Sequence, residues 1–182
     1  MSGKEKQIAF GDLEIVRQFL NTWSIPNDTR VATEHLKSLK DVEAFIKRYF
    51  TKENVQVDPL ETTIQFRNDL RHLLDQNDEY ILNKWINQYP IGVRIKEEED
   101  GLVLEHIAPK TICGQLLKIV VEAVDRDRWK RLKACPDCQY VFYDHTKNQG
   151  RVWCGMYAYG AKGRACGTIA KVKRHRAKHT KK

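Results

Sequence analysis

Near the start of the chain, apolar residues recur at helical spacing at Leu13, Val16, Phe19, Leu20 and Trp23, and the turn formers Pro26, Asn27 and Asp28 close the pattern. A first helix is predicted there. Ser38 and Asp41 have the spacing of an N-terminal cap, followed by an apolar stripe of Leu39, Val42, Phe45, Ile46, Tyr49 and Phe50. Asp58, Pro59 and Glu61 give a start signal, with proline at the first helical position, for a third helix carrying Leu60, Ile64, Leu70, Leu73 and Leu74. Tyr80 to Asn87 reads as a short fourth.

After Pro90 the period shortens to two. Val93 and Ile95 alternate with Arg94 and Lys96, Asp100-Gly101 supplies a turn, and Leu102, Val103 and Leu104 begin a return run, so a β-hairpin is predicted. From Thr111 the spacing of Leu116, Leu117, Val120, Val121 and Val124 is helical again, and this helix is expected to reach about Leu132 and deliver the chain to Cys135. The fold class is α+β. Residues 1–133 form a mostly helical domain with a small hairpin, and residues 134–182 a cysteine-knuckle hairpin followed by a basic helix, the two sharing a helix and packing closely. No apolar run approaches the roughly 18 residues of a membrane span, and the N-terminal MSGKEKQ lacks the apolar core of a signal peptide. A soluble, cytoplasmic protein is expected.

Charge divides the chain at the same place. Residues 134–182 hold eleven Lys or Arg against two acids, Asp137 and Asp144, a net +9, so the remaining 133 residues of this +8 chain sum to −1. So local an excess makes a polyanion the natural partner.

Four of the five cysteines lie in the last 48 residues. An odd count in a reducing compartment argues for metal over a disulfide framework, and Cys113, which stands apart, reads as a core thiol. Cys135-Pro136-Asp137-Cys138 has knuckle spacing, in which backbone N–H groups can donate to the sulfurs. Gln139 to Tyr143 then reads as a strand, Lys147 to Gly150 as a turn, and Arg151 to Trp153 as a returning strand that brings Cys154 to the knuckle. Cys166 opens a helix, whose N-terminus favours a thiolate. The competing set of Cys135 and Cys138 with His175 and His179 would need a finger far longer than the compact form, so the four-cysteine set is preferred. Four thiolates leave no open position, and the one Zn²⁺ is expected to be structural, not catalytic.

Beyond Cys166, the stretch Ala170 to Lys182 carries Lys171, Lys173, Arg174, Arg176, Lys178, Lys181 and Lys182 without an acid, while Ile169 and Val172 can seat one side of it. With Lys147, Arg151 and Arg164 these residues are expected to meet phosphates. In the N-terminal domain Asn21, Arg67 and Arg71 are candidates for one ligand cavity, the two arginines being four apart and able to share a helix face. No nucleophile and base pair or Gly-rich phosphate loop stands out, so no enzyme is expected.

At these residues the sequence resembles the CGNR-type zinc-finger proteins, often described as stress-induced transcription regulators with an N-terminal domain called ABATE. The family's knuckle, aromatic strand, Trp-Cys pair and Cys-Gly before a basic helix match Cys135-Pro-Asp-Cys138, Tyr140 to Asn148, Trp153-Cys154 and Cys166-Gly167. Upstream, Phe19-Leu20-Asn21-Thr22 and Phe66 to Arg71 are similar to its first-helix and third-helix patterns. Thr168 and Ile169 stand where the family has Asn and Arg, and eleven residues separate Cys154 from Cys166, a longer gap than the family's usual one. The added Tyr157 to Arg164 stretch reads as a loop with its own phosphate contacts. The resemblance implies a DNA-binding transcription regulator whose N-terminal domain senses a small-molecule or protein signal, with homodimers expected if the operator is palindromic. RNA binding, or an adaptor that docks on an acidic protein, are the alternatives.

Overall fold

In the computed structural model, residues 7–51, 53–76, 78–158 and 164–179 are described, apart from the side chains of Lys178 and His179. Helix α1 (Leu13–Leu20) ends three residues before the expected Trp23. Asn21 and Thr22 close its end with both backbone and side chain: beside their own N–H groups, Asn21 Nδ2 donates to Arg17 C=O at 3.0 Å and Thr22 Oγ1 to Phe19 C=O at 2.6 Å. Trp23 therefore leaves the helix and enters β1 (Trp23–Ser24), which pairs with β2 (Thr33–Glu34). Helix α2 (Leu39–Tyr49) starts as expected, with the Asp41 carboxylate accepting the Ser38 N–H at 2.8 Å and the Ser38 hydroxyl at 2.9 Å.

Helices α3 (Leu60–Leu73) and α4 (Glu79–Gln88) follow. Asp58, read as part of the α3 start signal, serves another helix. Its buried carboxylate accepts the Cys113 N–H at 2.8 Å and the Tyr89 hydroxyl at 2.9 Å, placing negative charge on the first turn of α5 (Ile112–Asp125), where the helix dipole favours it. Cys113 is fully buried, and burial with the Asp58 charge pushes its thiol up, as suits a core residue.

Between α4 and α5 lies the hairpin of β3 (Gly92–Glu98) and β4 (Gly101–Ile107), paired in register from Gly92↔Ile107 to Glu98↔Gly101. Helix α5 stops at Asp125, seven residues short of the expected end, because Asp127 turns left-handed at φ 58° while Arg128 N–H reaches back to Ala123 C=O at 2.7 Å. A short 3₁₀ turn, Trp129–Arg131, then leads into β5 (Leu132–Ala134), which pairs with β6 (Val141–Tyr143). No helix is shared between the two parts. Helix α6 (Cys166–His179) ends the described chain.

Helices α1, α3 and α5 enclose the main core through Val16, Phe19, Leu20, Phe66, Leu70, Leu116, Leu117 and Val120, all at most 1% exposed. Leu132, Val141 and Tyr143 belong to this core, whereas Phe142, on the opposite face of β6, packs with the cysteines in a second cluster. Alternation along three strand residues thus faces two cores.

Candidate metal centre

Cys135 and Cys138 are brought together by a knuckle closed through three backbone features. Gln139 N–H donates to Cys135 C=O at 2.8 Å, Cys135 N–H donates to Tyr140 C=O at 3.0 Å, and Gln139 takes a left-handed φ of 58°. Backbone N–H groups of Cys138 and Tyr140 favour the charged forms of the Cys135 and Cys138 sulfurs, as a knuckle should.

Cys154 arrives differently from expectation. The partner of β6 is β5, and residues 151–153 form no strand; the loop from Asp144 to Cys154 is instead folded around a buried carboxylate. Asp144, fully buried, accepts Thr146 N–H at 2.9 Å, Arg151 N–H at 2.9 Å and Lys133 Nζ at 2.8 Å. Burial alone would raise its pKa, but the Lys133 ammonium and the Thr146 hydroxyl outweigh it and bring it down to about 2. Arg151 lies over the Phe142 ring at 4.9 Å and donates to the carbonyls of Trp153 and Cys154, fixing the ligand's backbone.

Cys166 begins α6, as expected from the sequence, and its neighbour Gly167 sits against Trp153 and Met156. A Cβ at Gly167 would lie 3.2 Å from Trp153 Cδ1 and closer still to the Met156 sulfur. Gly167 N–H donates to Gly155 C=O at 3.0 Å, so the helix start is tied to the residue after Cys154.

The four sulfurs all lie within 4.8 Å of one another, with Cys138 to Cys154 at 3.5 Å and Cys154 to Cys166 at 3.7 Å. A tetrahedron with Zn–S bonds of about 2.3 Å has edges of about 3.8 Å, so the set is already spaced for one zinc ion and too open for disulfides. All four cysteines are free thiols, at most 9% exposed. Packed this closely, they oppose one another's ionisation. Hydrogen bonds from Cys138 and Cys154 hold Cys135 below its ordinary value, while the contact with Cys135 pushes Cys154 up and burial pushes Cys166 up. A bound divalent cation removes that conflict.

Around the centre, Asp137 joins three segments. Arg164 donates to its carboxylate, with Nη2 at 3.2 Å, and Arg30 donates to its backbone carbonyl at 2.6 Å. The Arg164 guanidinium holds the Asp137 carboxyl below its usual range. Arg164 and Arg151, read from sequence as phosphate contacts, are thus engaged within the module. Lys147, Lys171, Lys173, Arg174 and Arg176 are exposed, every residue from Lys171 to Ala177 being so; the side chain of Lys178, and residues 159–163 of the Tyr157 to Arg164 loop, fall outside the described residues.

Asn21, Arg67 and Arg71 do not converge on one cavity. Asn21 lines a cleft of ≈ 720 Å³ together with Arg17, Tyr140, Cys138 and Cys154, and Arg71 lines a separate hollow of ≈ 400 Å³ beside Trp23. Arg67, 1% exposed, makes two 2.6 Å hydrogen bonds to the Glu34 carboxylate. The other two grip the zinc hairpin. Arg71 donates to Leu20 C=O at 2.8 Å and to Gln139 C=O at 2.7 Å, and Asn21 pairs with Val141. Arg17, which sequence reasoning passed over, joins them by donating to the Tyr140 hydroxyl at 2.7 Å and to Val141 C=O at 3.2 Å while held by Glu14. Its one sequence signal was a cation on the apolar face of α1.

A tetrathiolate knuckle completed from a loop and a helix N-terminus defines a zinc-finger module. Residues 131–179 match the sequence model of the CGNR zinc finger family, which covers the whole cysteine set. No curated protein matches the chain. None of the described helices is long and apolar enough to cross a membrane.

Proposed function

We propose that this protein is a DNA-binding regulator in which a structural zinc ion fixes the origin of α6 so that its basic residues meet the phosphate backbone. The observation that carries this reading is the form of α6. It begins at a zinc ligand, and its exposed stretch from Lys171 to Ala177 holds four permanent cations and His175 without one acid. Such a surface binds polyanions through counterion release. The N-terminal part, ABATE-like in its sequence resemblance, supplies the sensing or interaction surface, and its grip on Val141 and Gln139 is the route by which a signal would reach α6. With four thiolates filling the zinc shell, the metal has no position for substrate, and the protein is read as non-catalytic.

Fluorescence polarisation with duplex DNA at several salt concentrations tests this. Binding should weaken steeply with salt, and neutralising Lys173 or Arg174 should each lower the slope of log affinity against log salt by about 1. Binding that is absent at low salt, or indifferent to these substitutions, would overturn the proposal. Competition with structured RNA assigns the nucleic acid.

A further inference from the structure

Around the contact between the N-terminal part and the zinc hairpin, Arg17, Arg30, Arg67 and Arg164 each have a carboxylate within ion-pair distance. Arg71, among the described residues, has none. Its guanidinium gives one Nη to Leu20 C=O and the other to Gln139 C=O and lies over the Trp23 ring at 4.6 Å, which leaves Nε and the second N–H of each Nη open. None of its nitrogens is both buried and unpaired, so Nε is reachable from solvent. Beside it lies the hollow of ≈ 400 Å³, lined also by Asn68, His72 and Asp75, a volume in the range of small-ligand sites. Asn68 adds donors there. Its Oδ1 accepts Arg67 Nε at 3.3 Å and Nη2 at 3.1 Å, which fixes the amide and leaves its NH2 group without a partner among the described residues.

We infer that this hollow binds a small molecule through an oxyanion group, a carboxylate or a phosphate, held by Arg71 and the Asn68 amide. The local field favours an anion. Burial and the neighbouring Arg67 charge bring the Arg71 pKa down to about 10, and Asp75, the acid on the rim, offsets less than Arg67 imposes. An oxyanion supplies the missing counter-charge, and a guanidinium with open N–H groups on Nε and Nη meets two of its oxygens at once. The inference deepens the sensing role proposed for the N-terminal part and rests on that reading for its purpose. Because the same guanidinium holds Gln139 C=O, the ligand sits on the contact through which that role reaches the knuckle.

Titration of the zinc-loaded full chain with inorganic phosphate and, separately, with benzoate tests this without nucleic acid and at constant ionic strength, the indole N–H signal of Trp23 being followed by NMR. At least one probe should give a saturable shift at millimolar concentration, and which one does so assigns the group. Asn68→Asp keeps an acceptor for Arg67 while placing a negative charge in the hollow, and should weaken binding by about tenfold or more with unchanged zinc content. Asp75→Asn, which removes the opposing charge from the exposed rim, should tighten binding by about twofold. No saturable shift with either probe, a shift indifferent to both substitutions, or a shift produced by duplex DNA but by neither small anion would overturn the inference. DNA binding by α6 is scored separately, on the Lys173 and Arg174 variants, so either reading can fail while the other stands.

Discussion

The side-chain amide of Asn21 pairs with Val141 as the backbone of a neighbouring strand would. Nδ2 donates to Val141 C=O at 2.9 Å and Oδ1 accepts Val141 N–H at 2.8 Å. One side chain at the end of α1 thereby completes the hydrogen bonding of the strand that follows the knuckle, and it does so between partners 120 residues apart.

Asn21→Ala should leave the Val141 N–H without its partner and its C=O with Arg17 alone, and lower the stability of the chain by about 2 kcal/mol. Because the knuckle runs directly into this strand, zinc affinity should fall with it. Chemical denaturation and zinc competition with a chromophoric chelator measure the two effects, and loss of stability without loss of zinc affinity would show that the two parts are not coupled through this residue.

Native mass spectrometry should find one zinc per chain, lost in Cys135→Ser and in Cys166→Ser. Removing the metal from the wild type with a chelator should disorder the loop and helix that carry Cys154 and Cys166, since the apolar company of the cysteine cluster among the described residues is Tyr140, Phe142 and Trp153. Full zinc retention in Cys166→Ser together with loss in His175→Ala would overturn the ligand set.

Gly167 is required by close approach and not by an unusual backbone angle. Gly167→Ala would press a methyl group on Trp153 and Met156. Met156 is 45% exposed and can swing away, so a cost of about 1 kcal/mol is expected, seen as weaker zinc binding and relieved in Gly167→Ala/Met156→Ala. An equal cost in the presence and absence of Met156 would place the strain on Trp153 alone.

The Glu34–Arg67 pair sets an acid dependence far from the zinc. Burial raises the Glu34 pKa, but the Arg67 guanidinium more than offsets this, and the folded value lies below the ordinary 4.5. A depressed carboxylate stabilises the fold above its unfolded pKa and loses that contribution as pH falls through the folded value. Glu34→Gln should therefore cost about 2–3 kcal/mol at neutral pH, because Arg67 is left buried without its counter-charge, and the gap to wild type should close as pH drops below about 4.5. Acid release of zinc affects both proteins alike and cancels in the difference. A gap independent of pH would assign the pair a packing role only.

Much of the architecture was legible because it rests on local signals. The Ser38–Asp41 cap, the proline before α3, the hairpin alternation and the cysteine spacings each act within a few residues, and the structure places elements where they point. The end of α5 was not legible, since the left-handed residue that stops it is Asp127 and no glycine marks the site. Nor was the delivery of Cys154, which depends on a carboxylate buried by its surroundings: nothing in the sequence around Asp144 says that Lys133, eleven residues earlier, will meet it. The basic residues divide for the same reason. Sequence displays the charge of Arg151 and Arg164 but not their partners, while Lys171 to Arg176 lie in a helix with too few apolar positions to be covered.

Strand β6 is a party wall, with Val141 and Tyr143 on the helical side and Phe142 on the side of the sulfurs. The finger is therefore a unit of sequence but not of excision. Cut out as residues 131–179, it would carry its cysteines intact and yet turn Leu132, Val141 and Tyr143 toward water, and grafted onto another protein it would need an apolar host surface shaped like α1. A change at Val141 or Tyr143 is therefore felt by the helical body as much as by the finger.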